Sequence, residues 1–112
     1  WGINFTQKGT TIFATWFTYN VDGTPLWLSV TANNTSPGVY AGPLYLTTGP
    51  PYNAVPFNPA LVQRTVAGTA TLSFANGNSG TFSYSVNTQT GVVAQMKSIT
   101  RQVFRSPGTV CQ

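Results

Sequence analysis

Few side chains in this sequence could perform acid–base or nucleophilic chemistry. There is no His and no Glu, and the only acidic side chain is Asp22, in the segment VDGT. General acid–base catalysis needs a group that titrates near the working pH, a serine nucleophile needs a base, and glycoside hydrolysis normally uses two carboxylates. One Asp supplies none of these. The sequence therefore predicts a protein that is not an enzyme.

Metal and cofactor sites are equally short of ligands. A zinc site needs about four Cys, His or acidic ligands, and a calcium site needs several carboxylates. No Gly-rich phosphate loop opens a helix, because the sequence predicts no helix. We therefore expect no metal site and no cofactor.

The cations are scattered along the chain and give a net charge of +4: they are Lys8, Arg64, Lys97, Arg101 and Arg105. A nucleic-acid interface would need clustered cations with interleaved aromatic residues, so we expect no nucleic-acid partner. Lys97 and Arg101 fall on the same predicted strand face as Ile99 and Val103. Since burying an unpaired cation is costly, we expect their charged ends to reach water or backbone carbonyls. Gripping an anionic partner is the alternative.

The only cysteine, Cys111, lies in the tail SPGTVCQ and has no partner in this chain. In an exported protein an odd thiol suggests a bridge to another chain or to a segment outside the sequence. Cys111 is therefore an inter-chain disulfide candidate, with a free thiol as the alternative.

The chain has 112 residues, of which only 5% are charged. Soluble proteins average roughly a quarter, and here Thr, Asn, Ser, Gly and Gln take the place of charged residues. This composition is typical of exported proteins that bind carbohydrate or pack into layers and fibres, so we expect an extracellular or cell-surface location. No apolar run reaches the roughly 18 residues of a membrane helix, so we expect no membrane insertion.

We expect one domain over residues 1–112. The chain has no initiator Met or signal peptide and opens at Trp1, inside a predicted strand. These features suggest a processed or excised part of a longer exported precursor.

Turn signals separate β-branched and aromatic runs at regular intervals, which is the pattern of an all-β antiparallel domain of about seven strands. A small barrel or strongly coiled sheet is favoured, with a sandwich as second choice. The predicted strands span residues 2–7, 10–21, 24–33, 39–48, 65–74, 80–86 and 92–104. In the fifth, Val66, Ala70 and Leu72 alternate with Thr69 and Thr71, which predicts one face in water.

A Pro-rich loop, GPPYNAVPFNPALVQR over residues 49–64, carries Tyr52 and Phe57 between its prolines. An ordered loop of this length is usually functional or a lid. It either packs its aromatic residues over an open end of the sheet or contacts a partner or ligand.

The segment TIFATWFTYN, residues 11–20, has apolar residues on both faces of its predicted strand. The following Asp22-Gly23 is a strong signal for a two-residue hairpin loop. That loop would place Phe17 opposite Leu28, on a continuous apolar face that we expect to form the core.

The same register would place Trp16 and Trp27 on the other face as diagonal neighbours, about 7–8 Å apart. Two indoles ringed by hydroxyls could form a sugar-stacking platform or a hot spot for a protein partner, or could be covered by the chain itself. The candidate partner- or ligand-binding residues are Trp16, Trp27, Thr18, Ser29, Thr31, Tyr52 and Phe57.

The motifs TIFATWFTYNVDGTPLWL, GPLYLTTGPPYNAVPFNP, GTATLSFANGNSGTFSYSV and KSITRQVF resemble a family of small β-domains in exported proteobacterial proteins. The resemblance covers nearly the whole chain. It implies bacterial origin, export and a β-fold, and it carries over no catalytic residues. Members of the family begin before the Trp-Gly found here, so the chain lacks part of the family's first strand.

Together these features favour a non-catalytic exported bacterial surface module that self-assembles or docks, as a fibre, layer or adhesive subunit. Its expected partners are copies of itself or another surface protein. The alternative is a carbohydrate-binding module of a secreted protein, with polysaccharide as its partner and the two Trp residues as its platform.

Overall fold

The computed structural model describes residues 1–108 and 110 of the chain. Within these residues, seven strands form one antiparallel sheet, in which each strand pairs with the next along the chain. The strands are β1 (Gly2–Lys8), β2 (Thr11–Tyr19), β3 (Pro25–Ser36), β4 (Val39–Thr48), β5 (Gln63–Asn76), β6 (Ser79–Thr88) and β7 (Gly91–Thr100). The only helical element among the described residues is a 3-10 turn, Pro59–Leu61. The prediction of an all-β antiparallel fold is confirmed.

The sheet curls into a half-barrel that stays open between β1 and β7, which do not pair with each other. Its concave face holds the hydrophobic core. The buried core residues are Ile12, Ala14, Trp16, Leu28, Val30, Ala32, Leu44, Ala70, Leu72 and Phe82. A strongly coiled sheet was the favoured expectation, and one curled sheet is what the chain forms.

Small residues in the middle of the concave face allow the sharp curl. Gly42 pairs with Ala70, and a Cβ on Gly42 would collide with the carbonyl oxygen of Thr31 and approach the Cα of Ala32. Glycine at such a position lets strands bend closely past one another.

The curl brings aromatic residues of distant strands together. Trp16 on β2 packs edge-on against Phe82 on β6, with ring centroids 5.0 Å apart, and against Tyr84, with centroids 4.4 Å apart. Phe5 on β1 packs against Phe74 on β5 at 5.4 Å. These contacts across the concave face hold the two halves of the sheet together.

The hairpin between β2 and β3 has a three-residue loop, and the predicted two-residue loop is wrong. The Asn20 amide donates to the Thr24 carbonyl at 2.8 Å, and Gly23 takes a left-handed conformation with φ +84°. Three-residue loops with a left-handed residue are a common alternative in hairpins. Trp16 consequently pairs with Leu28, and Phe17 pairs with Trp27.

A shift of register by one residue moves every side chain to the other face. The predicted core face of β2 is therefore the outer face, and Phe17 is only partly buried there. Phe13 shares that convex face and is 51% exposed. Ile12, Ala14 and Trp16 form the buried side of the strand instead.

Two further expectations are corrected along the chain. A register shift between β4 and β5, at Leu44 and Tyr45, turns Val66 to the outer face, away from Ala70 and Leu72. The bulge adds one residue on β5, which breaks the alternation on which the prediction depended. The last strand ends at Thr100 instead of residue 104.

The Pro-rich loop does not pack its aromatic residues over the sheet, so that expectation is wrong. Tyr52 is 100% exposed and Phe57 is also exposed. The Asn58 side chain caps the 3-10 turn by accepting from the Ala60 amide at 3.0 Å. The loop is thus ordered by its own turn chemistry, because Asn side chains readily bond backbone amides two residues on.

Cys111 lies outside the described residues, so its predicted inter-chain bridge stays a prediction. Among the residues that are described, no helix has the length and apolar character needed to cross a membrane.

Candidate functional site

The structure does not bring the predicted binding residues together. Trp16 and Thr18 lie on the concave side, where Trp16 is 4% exposed and belongs to the core. Trp27, Ser29 and Thr31 lie on the convex face. Tyr52 and Phe57 are exposed residues of the Pro-rich loop and belong to neither strand of the hairpin. The expected neighbours Trp16 and Trp27 are on opposite faces of the sheet, because the hairpin register differs by one residue.

The convex face carries its own group of aromatic residues, which we call the convex aromatic patch: Phe13, Phe17, Trp27 and Tyr45. Phe17 and Trp27 meet edge to face with centroids 4.5 Å apart, yet Trp27 is 62% exposed. The Arg64 guanidinium lies 4.1 Å from the centroid of the Tyr45 ring, a cation–π contact. The second apolar face of TIFATWFTYN is therefore left largely uncovered by the part of the chain that the structure describes.

The convex face is polar and uncharged along residues 69–73 of β5 and residues 81–85 of β6. Hydroxyl residues pair across these two strands: Thr69 with Ser85, Thr71 with Ser83 and Ser73 with Thr81. Thr69 and Thr71 lie on the outer face of β5, as predicted.

A cleft of about 620 Å³ opens at the end of the concave face where the β2–β3 and β6–β7 turns lie. We call it the concave cleft. Its walls combine aromatic rings with amides, hydroxyls and one cation, and they include Trp1, Trp16, Thr18, Tyr84, Asn87, Thr88, Gln95 and Lys97. Its volume lies within the range of small-ligand sites, about 300–1,000 Å³.

Lys97 is partly buried and shares the concave face with its pair partner Phe82. Its Nζ lies 5.3 Å from the centroid of the Trp1 ring and 6.0 Å from that of Tyr84. The charged end thus lies over aromatic faces, a cation–π arrangement that the expectation of water or carbonyl contacts did not include.

The only carboxylate side chain of the sequence, Asp22, also borders the cleft. Its Oδ1 accepts from the Thr24 hydroxyl at 2.6 Å and from the Thr24 amide at 2.9 Å. The hydroxyl bond, then the amide bond, lowers the pKa of Asp22, because both stabilise the ionised form. Asp22 therefore serves the hairpin loop as a hydrogen-bond acceptor.

The indole Nε1 of Trp16 is buried without a hydrogen-bond partner. A buried N–H that lacks an acceptor is destabilising and uncommon, so each case asks for an explanation. Trp16 forms part of the cleft wall.

The cleft was not anticipated from the sequence, because Trp1, Tyr84 and Lys97 come from three separate strands or their ends. Alternation places Tyr84 with Phe82 and Lys97 with Ile99, but it does not show which strands face one another. Within residues 1–108 and 110, no group of three or more His, Cys, Asp or Glu side chains could hold a metal ion.

Both outer strands of the sheet have a free edge in the part of the chain that is described. β1 pairs only with β2, and β7 pairs only with β6. Neither strand contains a proline, and neither pairing has a register shift.

Comparison of the chain with models of known protein families, with curated proteins and with solved structures finds no match.

Proposed function

We propose that this protein is a non-catalytic module of an exported bacterial surface protein, and that it assembles with copies of itself by pairing of edge strands. The observation that carries the proposal is the open sheet, in which β1 and β7 both keep an unpaired edge among the described residues. Unpaired backbone amides and carbonyls along an edge are a template for another strand.

The edges have few of the features that normally prevent strand addition. Natural edges are blunted by prolines, bulges, short strands or charged side chains, including inward-pointing ones. β7 has ten residues, no proline and no register shift, and Lys97 is the one charged residue along it. On the opposite face from Lys97, Met96 is 74% exposed. An apolar, regular edge of this kind favours pairing with another chain.

Each copy carries both strands that such a contact needs, β1 and β7. Pairing β7 of one copy with β1 of the next would be a head-to-tail contact, which produces rings if the rotation closes and open filaments if it does not. Only 5% of the residues are charged, so little electrostatic repulsion opposes close contact between copies. The convex aromatic patch offers a second uncovered surface for docking.

The carbohydrate-binding alternative cannot use the predicted platform. A platform made of Trp16 and Trp27 requires both rings on one face, and the hairpin pairs Trp16 with Leu28 instead. A sugar site on this protein would need a different set of residues.

The assembly proposal is tested by sedimentation and electron microscopy of Met96→Lys beside Thr69→Lys. Both variants add a lysine to the convex face, but Met96 is on the edge strand β7 and Thr69 is on the interior strand β5. We expect the unmodified protein and Thr69→Lys to form oligomers or filaments and Met96→Lys to stay monomeric. A monomeric unmodified protein, or equal loss of assembly in both variants, would contradict strand pairing at the edge.

The non-catalytic part of the proposal has its own test. Assays for hydrolysis of esters, peptides and glycosides should stay at background. Turnover that disappears on replacing Lys97, whose cation lines the concave cleft, would show the proposal to be wrong.

A further inference from the structure

The concave cleft offers one stacking surface of the kind that sugars use. Trp1 borders the cleft and is 55% exposed, so part of its indole is accessible. Tyr84 borders the same cleft, and the Tyr84 hydroxyl donates to Gln95 Oε1 at 2.6 Å, which orients both side chains. An indole with a fixed tyrosine nearby gives a large apolar contact with polar groups at its margin.

The polar groups of the cleft are nearly all amides and hydroxyls. Asn87 and Thr88 come from β6, Gln95 comes from the neighbouring strand β7, and Thr18 comes from β2. Amides and hydroxyls both donate and accept hydrogen bonds, which suits a ligand that presents many hydroxyls. This donor set favours a carbohydrate over an apolar ligand.

Lys97 gives the cleft a positive charge. It is partly buried, and the chain's only carboxylate side chain, Asp22, is engaged with Thr24 at the hairpin tip. A cation at the wall of a cleft favours a ligand that brings an anionic group to it. The Lys97 Nζ lies over the aromatic rings of Trp1 and Tyr84 instead of beside a carboxylate.

From these observations we infer that the concave cleft binds a short oligosaccharide containing uronic acid: a sugar ring stacks on Trp1 and the uronate carboxylate pairs with Lys97. The site lies within one copy of the chain, on the face opposite the convex aromatic patch. It does not depend on the proposed assembly.

Calorimetric titration with oligogalacturonate, oligomannuronate and a glucuronate-containing oligosaccharide tests the inference. The titrations are made on the unmodified protein and on Met96→Lys, so that loss of assembly and loss of binding are seen separately. We expect at least one of the three to bind both proteins, and cellohexaose, which is neutral, to bind more weakly. No binding by any of the three, or equal binding of cellohexaose, would overturn the inference.

Matched variants locate the site. Lys97→Met should weaken binding about tenfold or more, because a charge-assisted contact is lost, whereas Lys8→Met removes the same charge outside the cleft and should change little. Lys97→Arg keeps the charge and should retain most of the affinity. Equal losses of affinity in Lys97→Met and Lys8→Met, or equally tight binding of polyglutamate, would mean that the protein attracts anions in general. Either result would overturn the proposed site.

The stacking surface is tested in the same way. Trp1→Ala should weaken binding about tenfold or more, as expected for an aromatic anchor. Loss of binding in Trp27→Ala but not in Trp1→Ala would place the site on the convex face and overturn the inference. Urea unfolding midpoints of all variants show whether any loss reflects unfolding.

Discussion

Trp16 and Trp27 lie on opposite faces of the same hairpin: Trp16 is paired with Leu28 in the core, and Trp27 is paired with Phe17 on the convex surface. The two indoles therefore have different roles. Trp16 joins β2 to β6 through its contacts with Phe82 and Tyr84. Trp27 contacts Phe17 and is otherwise largely open to solvent.

Replacement of each Trp by Ala should separate these roles. Trp16→Ala opens a cavity in the core and should lower the free energy of unfolding by about 3–5 kcal/mol. Trp27→Ala removes little buried area and should cost about 1 kcal/mol. Urea unfolding gives both values. A Trp27→Ala variant as unstable as Trp16→Ala would mean that the convex face is covered in solution.

The hairpin loop offers a second test, by deletion of Val21. Val21 is exposed in the three-residue loop, and its removal leaves Asp22-Gly23 as a two-residue loop with Asn20 still opposite Thr24. Asp-Gly is a favoured two-residue loop, so the deletion should be tolerated at a cost within about 1 kcal/mol. Urea unfolding and near-ultraviolet circular dichroism would report it.

Deletion of Thr18 is the matched control for Val21. It shortens β2 by one residue and turns the inward-facing side chains of that strand to the outer face of the sheet. The deletion should therefore abolish cooperative unfolding. Similar effects of the two deletions would contradict the register described here.

The sequence was sufficient to predict the strands, because turn residues and β-branched runs mark them locally. All seven strands found among the described residues overlap their predicted segments, and β4 (Val39–Thr48) has the predicted bounds. Loop length was not predictable to one residue: Asp22-Gly23 is compatible with a two-residue loop or with a three-residue loop that includes Val21. That single residue placed Trp16 in the core and left Trp27 on the outer face, so the predicted site residues were divided between two faces.

The concave cleft could not be predicted from the sequence, for a different reason. Its walls meet because the sheet curls, and the curl depends on small residues such as Gly42 at the centre of the concave face. Local patterns give the period of a strand, but they do not give the curvature that brings Trp1 next to Lys97.

Gly42→Ala tests the origin of the curl. The added Cβ would meet the Thr31 carbonyl oxygen on the adjacent strand, which is backbone and cannot move aside easily. Overpacking of this kind should lower the free energy of unfolding by about 1–3 kcal/mol. Gly77→Ala is the control, because a Cβ there meets nothing within 4 Å. Equal stability of the two variants in urea would show that Gly42 does not set the approach of the strands.

The last prediction concerns pH. Hydrogen bonds from Thr24 lower the pKa of Asp22 in the folded protein, so ionised Asp22 favours folding above its ordinary pKa, and this contribution is lost as pH falls through the lower, folded value. With no His and no Glu in the sequence, Asp22 is the only side chain that ordinarily titrates between about pH 3 and 7. We therefore expect the urea midpoint to be flat from about pH 7 to 5 and to fall slightly below about pH 4.

Asp22→Asn supplies the comparison for this pH profile. Its neutral amide oxygen can still accept from Thr24, but it cannot be protonated in this range, so the small fall of the midpoint below about pH 4 should be absent. The difference between the two profiles isolates Asp22 from the terminal carboxyl group, which titrates in both proteins. An identical fall in the variant would mean that another group causes the acid sensitivity and that the Thr24 hydrogen bonds do not couple Asp22 to folding.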